Sequence, residues 1–310
     1  MIARLYTMVM TGLMAVLPAQ AINYSADVSQ AQWQVDRSPF ECRVSQAIPD
    51  MGEAHFYKRA GADLTFEMEA SSEFPLRERA SVNLVAPAWN NFLDGREVYQ
   101  FSSSRRDRLR FEEDLAKQLL EGLLLGFSAE IRDTSQSSLR RDRISVVPVR
   151  FRAAYREFQD CMAQLLPFNF EQIERSKISF ALGDYKLTES DREHLRAIAR
   201  YVIADNEVNA VYVDGHTDNI GDRDENFELS RQRAEQVALY LIQHGVNPDF
   251  VALRYHADFY PIKPNTNASN RALNRRTTVR LAKEPSESIR DKLYKAMAQR
   301  DVPTPVDVQP

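Results

Sequence analysis

The feature that most constrains the fold is a regular alternation of strand-like and helix-like segments from residue 178 to residue 283. β-Rich runs such as KISFAL and VNAVYVDG alternate with two stretches, LTESDREHLRAIARYVIAD and NFELSRQRAEQVALYLIQHG, that are typical of helices. Thr188 and Asp191 have capping-box spacing. Asn226 is the predicted N-cap of the second helix and Gly245 its predicted stop. Two further runs, VALRYHA and TTVRLAK, complete a β-α-β-α-β-β order, which predicts an α+β sandwich with helices packed on one sheet.

The sequence before Pro167 has a different, β-rich pattern. Partly alternating segments, separated by Pro and Gly turns, fill most of it. Two helices interrupt them: FEEDLAKQLLEGLLLG, which Gly126 can end, and RAAYREFQDCMAQLL, which precedes the break at Pro167. We therefore expect a β-rich domain over 22–166, the α+β domain over 167–284, and a helix with a disordered tail over 285–310.

The N-terminus has the pattern of a cleavable secretory signal peptide. Arg4 precedes a mostly apolar run from Leu5 to Leu17, and Ala19-Gln20-Ala21 has the small-x-small pattern of a cleavage site. The apolar run is too short for a membrane span, and an uncleaved anchor is the alternative. We expect residues 1–21 to be removed and the remainder to be a soluble, exported chain.

Net charge and cysteine number limit the possible partners. The formal net charge is −4, which argues against nucleic acid as the main partner because such proteins favour strongly basic surfaces. The two cysteines, Cys42 and Cys161, are too far apart for a metal or redox motif. Two thiols in an oxidising compartment usually pair, so we expect a disulfide, with two buried free thiols as the alternative.

The stretch VDGHTDNIGDRDENFELSRQRAE, residues 213–235, combines a histidine with several carboxylates and arginines. His216 and Asp218 offer two possible metal ligands, whereas a metal site needs at least three. The chain has no GxSxG, no HExxH and no cysteine poised beside a histidine. A carboxylate pair, Asp214 and Asp218, is only a weak signal for acid–base chemistry. We therefore predict that the protein is not an enzyme and has no catalytic residue, metal or cofactor.

The same stretch can instead form a binding cleft. Asn226, Ser230 and Arg233 are spaced i, i+4 and i+7, which places them on one face of the predicted helix. Asp218 near the strand end and Arg233 can therefore face one cleft. One fixed anion and one fixed cation match a ligand with an ammonium and a carboxylate on the same carbon. A surface ion pair is the alternative, and spacing alone does not separate the two.

Residues 178–281 resemble the OmpA-like peptidoglycan-binding domain family. The matching motifs, in order, are DGHTD, an asparagine, LSRQRA, RYHADFYPIKPN and RALNRR. The resemblance implies non-covalent binding of diaminopimelate in the stem peptide of the cell wall. It assigns the ligand's ammonium to Asp218 and the ligand's carboxylate to Arg233.

The resemblance also suggests roles for neighbouring positions. Thr217, Asn226 and Leu229 match pocket-lining positions of the family, and Arg276 in RALNRR is expected to be structural or a secondary contact. Many relatives have Asp or Asn in the first loop, where this sequence has a glycine followed by Asp184. Asp184 is therefore a candidate substitute for that contact.

The rest of the chain resembles the N-terminal half of flagellar motor proteins of the MotY family. The matching segments are YSADVSQAQWQVDRSPFECRVSQAIPDMGEAHFYKRAG, APAWN and VVPVRFRAAYREFQDC. The resemblance implies a periplasmic part of the T ring around the flagellar basal body, with a MotX-like protein and the stator B subunit as partners. It implies a role in recruiting or stabilising stators and a disulfide between Cys42 and Cys161. A general envelope-to-wall tether and a peptidoglycan-modifying hydrolase are the alternative functions.

Overall fold

The computed structural model of the chain describes residues 21–72, 79–87, 95–102, 107–134 and 142–283. Internal contacts divide the chain into two units. The first unit comprises the residues up to Asp36 with Arg43–Tyr57 and Leu64–Asp160. The second unit comprises Arg37–Cys42, Lys58–Asp63 and the residues from Cys161 onward. Residues 1–20 of the predicted signal peptide and the predicted tail, 285–310, lie outside the described residues.

The described residues up to 164 form strands and two helices, in keeping with the β-rich prediction. The strands are β1 (Asn23–Ser25), β2 (Gln34–Arg37), β3 (Glu41–Ile48), β4 (Gly52–Arg59), β5 (Leu64–Ala70), β6 (Ala80–Val85), β7 (Arg96–Phe101), β8 (Arg108–Phe111), β9 (Ser128–Asp133) and β10 (Arg143–Val146). The helices are α1 (Glu113–Leu125) and α2 (Phe151–Gln164). The strands form two five-stranded sheets with the orders β1-β10-β9-β6-β7 and β2-β3-β4-β5-β8.

The sequence patterns predict α1 well but do not predict β3. Gly126 follows α1 with a φ of 96°, so it ends the helix as expected. β3 buries the polar residues Ser45 and Gln46, which break the alternation that marks a strand. Gln46 Nε2 donates to the carbonyl of Val147 at 3.0 Å, and the Val147 amide donates to Gln46 Oε1 at 2.8 Å. A pattern of polar and apolar residues predicts that Gln46 is exposed, because it does not show that distant backbone groups satisfy the buried amide.

The second unit has the predicted β-α-β-α-β-β order, which confirms the α+β class. Its elements are α3 (Phe170–Ile173), β11 (Arg175–Ser179), α4 (Glu189–Ala204), β12 (Ala210–Gly215), α5 (Arg223–Gln243), β13 (Val251–Tyr255), α6 (Ala268–Asn274) and β14 (Arg276–Ala282). The sheet order is β11-β14-β12-β13. β14 is antiparallel to β11 and β12, whereas β12 and β13 are parallel. The short helices α3 and α6 are additions to the prediction.

The capping predictions for the two long helices have different outcomes. The capping box of Thr188 and Asp191 is present at the start of α4. The prediction of Asn226 as the N-cap of α5 is wrong, because Asp222 caps the helix by accepting a 2.8 Å bond from the amide of Asp224. Gly245, with a φ of 95°, ends α5 as predicted. The earlier start of α5 places Asn226 inside its first turns, where the side chain is buried.

Helices α4 and α5 cover one face of the four-stranded sheet. Val211 and Val213 of β12 and Val237 and Leu241 of α5 have no exposed surface in the shared apolar core. Burial of each such side chain contributes roughly 1.5–3 kcal/mol to folding. Among the described residues, no helix has the length and apolar character to cross a membrane.

A disulfide joins Cys42 and Cys161, so the expected pairing is confirmed. Both cysteines belong to the second unit by their contacts, together with the segments 37–42 and 58–63. These segments lie within 22–166, the range predicted for the first domain, so the two units are interleaved along the chain. The boundary at 166–167 itself stays a prediction.

Candidate ligand-binding site

The end of β12 and the start of α5 position the motif residues. Gly215 closes β12 at a point where a Cβ atom would lie 2.0 Å from the carbonyl oxygen of Ser230 in α5. Only glycine permits this close approach. Beyond the strand, the amide of His216 donates to the carbonyl of Arg276 at 2.9 Å, and the amide of Thr217 donates to the carbonyl of Ala257 at 2.8 Å. These bonds hold the backbone of the HTD segment against β14 and the turn that follows β13.

Arg233 is the most deeply buried cation of the site, with none of its surface exposed. Its Nε donates to Asp184 O at 2.8 Å, Nη1 to His216 O at 2.9 Å and Nη2 to Ala181 O at 3.1 Å. A guanidinium has five N–H donors, so two remain for a ligand. Burial lowers the pKa of Arg233 to about 10, against the opposing effect of nearby Asp218, and the side chain stays cationic at neutral pH.

Asp218 is also buried and has two protein partners. Its Oδ1 accepts from the amide of Ile220 at 3.2 Å, and its Oδ2 accepts from Arg275 Nη1 at 2.9 Å. Arg275 is held in turn by a 3.2 Å bond from its Nε to the carbonyl of Phe180. The RALNRR motif suggests a role for Arg276, whereas Arg275 is the arginine of this motif that reaches Asp218. The motif shows two adjacent arginines, but the sequence does not show which of them points towards Asp218.

Asp218 and Arg233 share one cavity of about 190 Å³. All five residues predicted to bind the ligand line it: Thr217, Asp218, Asn226, Leu229 and Arg233. The lining also contains residues that the sequence did not single out for binding: Leu182, Gly183, Ile220, Gly221, Glu225 and Arg275. Two carboxylates and two guanidiniums therefore surround the cavity, so a ligand that carries one charge of each sign matches it.

Thr217 and Asn226 are the uncharged polar groups of the lining. Thr217 Oγ1 is buried and has no hydrogen-bond partner among the described residues. A buried hydroxyl without a partner costs free energy, which a ligand in the cavity can recover. Asn226 Nδ2 donates to the carbonyl of Ile220 at 3.1 Å and so fixes the loop between β12 and α5.

The two secondary candidates, Asp184 and Arg276, do not line the cavity. Asp184 Oδ1 accepts from the amides of Tyr185 and Lys186, and only its carbonyl reaches Arg233. Arg276 donates to the carbonyls of Asn274 and Tyr260 at 3.4 and 3.1 Å. Both residues therefore support the site from outside, and neither side chain is placed to contact a ligand within the cavity.

His216 lies behind the cavity rather than in it. Its ring stacks on His256 with the centroids 4.8 Å apart, and its carbonyl accepts from Arg233. Burial, together with the charges of Arg276 and His256, lowers the pKa of His216 to about 3. Asp214 is bound to Arg254 at 3.2 Å and to His256 at 2.9 Å. The possible carboxylate pair of Asp214 and Asp218 is thus divided between separate structural partners.

A group of possible metal ligands in the first unit consists of His55, Glu67 and Glu69. Arg43 Nη2 lies 3.1 Å from His55 Nδ1, and each carboxylate has an arginine neighbour at 3.4 Å or less. Burial, followed by the charges of Arg43 and Arg108, lowers the pKa of His55 to about 4. The atoms that a metal ion would need have protein partners, so we do not assign a metal to this group.

Comparison with known proteins identifies both parts of the chain. A family model described as the MotY N-terminal domain matches residues 24–167, and the OmpA family model matches residues 179–275. The chain combines a MotY N-terminal domain with an OmpA-family domain. The cavity lies in the OmpA-family domain, because all its lining residues fall between 182 and 275.

The chain is also similar to individual proteins. The sodium-type flagellar protein MotY of Vibrio parahaemolyticus is 26% identical over 84% of this chain and 90% of its own length. The outer-membrane lipoprotein YfiB of Pseudomonas aeruginosa is 33% identical over 34% of this chain and 61% of its own length. Among solved structures, the C-terminal domain of Helicobacter pylori MotB matches 41% of this chain and 98% of its own at 23% identity, with a TM-score of 0.33.

Proposed function

We propose that this chain is a non-catalytic, periplasmic component of the flagellar motor that anchors to peptidoglycan by binding the diaminopimelate of the stem peptide. The observation that carries the proposal is the shared cavity of Asp218 and Arg233, which is lined by two carboxylates and two guanidiniums. The free end of diaminopimelate has an ammonium and a carboxylate on one carbon. A cavity of about 190 Å³ has room for about six water molecules, which suits one end of a chain-like ligand.

In the proposed complex, each charge of the ligand has a partner of opposite sign. Asp218 accepts hydrogen bonds from the ammonium, and Arg233 donates its two remaining N–H groups to the carboxylate. Each charge-assisted bond contributes roughly 1.5–3 kcal/mol when water is excluded. The Thr217 hydroxyl gains a partner, and Asn226 and Leu229 shape the wall of the cavity.

The proposed motor role rests on the MotY N-terminal domain and on the relative named as a flagellar protein. In this proposal the first domain associates with the basal body and a MotX-like protein and supports stator assembly through the stator B subunit. The OmpA-family domain holds the complex on the wall. Export by the signal peptide over residues 1–21 delivers the chain to the periplasm.

Wall binding is tested by co-sedimentation with purified peptidoglycan. Asp218→Asn retains the size of the side chain but removes its charge, and Arg233→Ala removes the buried cation. Arg231→Ala is the control, because Arg231 lies on the same helix but pairs with Glu228 and Glu235 at the surface. We expect the first two variants to lose at least roughly 90% of the bound fraction, and the control to bind like wild type. Normal binding by folded Asp218→Asn would reject the diaminopimelate site.

Motility separates the motor role from a general envelope tether. Deletion of the gene should abolish or reduce swimming, and complementation with the wild-type chain should restore it. Normal swimming of the deletion strain would reject the motor role and leave wall binding as the function. Release of soluble fragments from peptidoglycan by the purified chain would instead support a hydrolase.

A further inference from the structure

The face of the four-stranded sheet that points away from α4 and α5 is strongly basic. Side chains alternate between the two faces along each strand, and directly paired residues share a face. The apolar positions of β12 and β14 point to the helices, so the intervening positions form what we call the open sheet face. The register places four accessible cations and one carboxylate on it: Arg175, Lys177, Arg254, Arg280 and Asp214. Arg276 has the same register, but its side chain is buried and donates to the carbonyls of Asn274 and Tyr260.

Like charges lie directly opposite each other on the open sheet face. Arg175 of β11 is the cross-strand partner of Arg280 of β14, and Lys177 follows Arg175 on the same face. Opposed cations in a sheet reduce stability, so folding alone does not favour this arrangement. Within the part of the chain that the structure describes, none of these three side chains has a carboxylate partner. The pattern therefore suits a ligand that supplies negative charge.

Tyr212 holds two of the cations in fixed positions. The guanidinium of Arg280 lies 4.1 Å from the centre of its ring, and the guanidinium of Arg254 lies 4.6 Å from it. An arginine that stacks on an aromatic ring is oriented before a ligand arrives and retains N–H donors at its edge for a carboxylate. The carboxylate of Asp214 offsets only part of this charge, because it binds both Arg254 and His256.

We propose that the open sheet face binds an acidic segment of a partner protein. In an extended chain, alternate side chains are about 6.8 Å apart, which matches the spacing of Arg175 and Lys177 along β11. A membrane surface fits less well, because the apolar positions of this face are alanines (Ala210, Ala252 and Ala282), two of them buried, and the described residues place no large aliphatic anchor on it. The open sheet face contributes nothing to the cavity lining, so this proposal is independent of wall binding.

The test measures binding of a labelled peptide of alternating Glu and Thr by fluorescence anisotropy, at low and at physiological salt. A peptide with Gln in place of Glu and vesicles of phosphatidylcholine with phosphatidylglycerol are the comparison ligands. The double variant Arg175→Gln/Arg280→Gln removes the opposed cations. The control, Arg196→Gln/Arg231→Gln, removes the same charge from the exposed surfaces of α4 and α5.

We expect wild type and the control to bind the Glu peptide with similar affinity and the double variant to bind about ten-fold more weakly. The double variant should melt at a temperature similar to that of wild type, because relief of the repulsion between Arg175 and Arg280 offsets the loss of the Arg280 stacking on Tyr212. Equal binding by the double variant and the control would overturn the proposal. So would equal binding of the Gln peptide, or binding of the vesicles without binding of the Glu peptide.

Discussion

Thr217 is the residue whose substitution best separates ligand binding from folding. Its hydroxyl is buried and has no partner among the described residues, so Thr217→Val should leave the free energy of unfolding unchanged or raise it by up to ~1 kcal/mol. The same variant should bind a diaminopimelate peptide several-fold more weakly. Thr277→Val is the control, because Thr277 Oγ1 is also buried without a partner in the described part of the chain but does not line the cavity. Chemical denaturation and calorimetric titration measure the two effects, and equal affinities of both variants would exclude a role for the hydroxyl.

His216 should contribute to the acid sensitivity of the OmpA-family domain. Its pKa is about 3 in the folded protein and about 6.5 in an unfolded chain, so the unfolded state binds more protons between these values. The stability from His216 is complete above pH ~6.5 and decreases by at most about 1.4 kcal/mol per unit as pH falls towards 3. Urea unfolding as a function of pH should show a shallower decline for His216→Phe than for wild type. The exposed His244→Phe variant should retain the wild-type slope, and identical slopes for all three proteins would contradict this assignment.

The proximity of Asp218 and Arg233 could be predicted from the sequence, because it depends on the spacing of two charged side chains. Asp218 and Arg233 have opposite charges at a spacing that brings them to one cleft, and both line the cavity. Arg275 was missed because the motif offers two adjacent arginines and sequence alone does not say which one points towards Asp218. The carbonyl partners of Arg233 could not be predicted either. Every residue has a backbone carbonyl, so the amino-acid type does not show which one accepts a hydrogen bond.

At the scale of elements, the contact between β12 and α5 sets the geometry of the site. Gly215→Ala would introduce a Cβ atom 2.0 Å from the carbonyl of Ser230, so strand and helix must separate. We expect a loss of roughly 1–3 kcal/mol in unfolding free energy. Binding should weaken too, because Thr217 and Asp218 follow the strand and Arg233 follows Ser230 along the helix. The melting temperature of this variant and its affinity for a diaminopimelate peptide are the quantities to measure. Wild-type values of both would show that the close contact affects neither stability nor binding.

The long helices and the apolar strands could be predicted because their capping residues and hydrophobic patterns agree with the way these elements pack. The capping box of α4 and the glycine stops of α1 and α5 appear where the sequence places them. The start of α5 was misplaced because Asp222 and Asn226 are both good capping residues and only packing decides between them. β3 was missed because its buried amide is satisfied by backbone that is distant in sequence.

At the scale of the whole molecule, the disulfide fastens segments that are distant in sequence. Cys42 and Cys161 are separated by 119 positions, and a loop of that length corresponds to about 5 kcal/mol in the chain-entropy model. The double variant Cys42→Ser/Cys161→Ser should lose roughly 2–5 kcal/mol of unfolding free energy. In reducing buffer the unfolding free energy of wild type should fall by a similar amount, whereas that of the variant should not change. A variant as stable as the oxidised wild type would show that the bond does not stabilise the fold.

In the proposed function the molecule associates with the flagellar motor and binds the cell wall. Wall binding depends on recognition of an ammonium and a carboxylate on one carbon of the ligand. Asp218 alone would accept any ammonium, so discrimination depends on Arg233, which requires the carboxylate beside it. Lysine-type stem peptides lack that carboxylate and therefore provide the most direct comparison.

The decisive measurement is calorimetric titration of the purified chain with two tripeptides that differ only in diaminopimelate or lysine at the third position. We predict that the diaminopimelate peptide binds at least ~10-fold more tightly, since the lysine peptide leaves Arg233 without its carboxylate partner. Asp218→Asn should bind both peptides weakly. Equal affinity of wild type for the two peptides would contradict the claim that this cavity recognises the zwitterionic end of diaminopimelate.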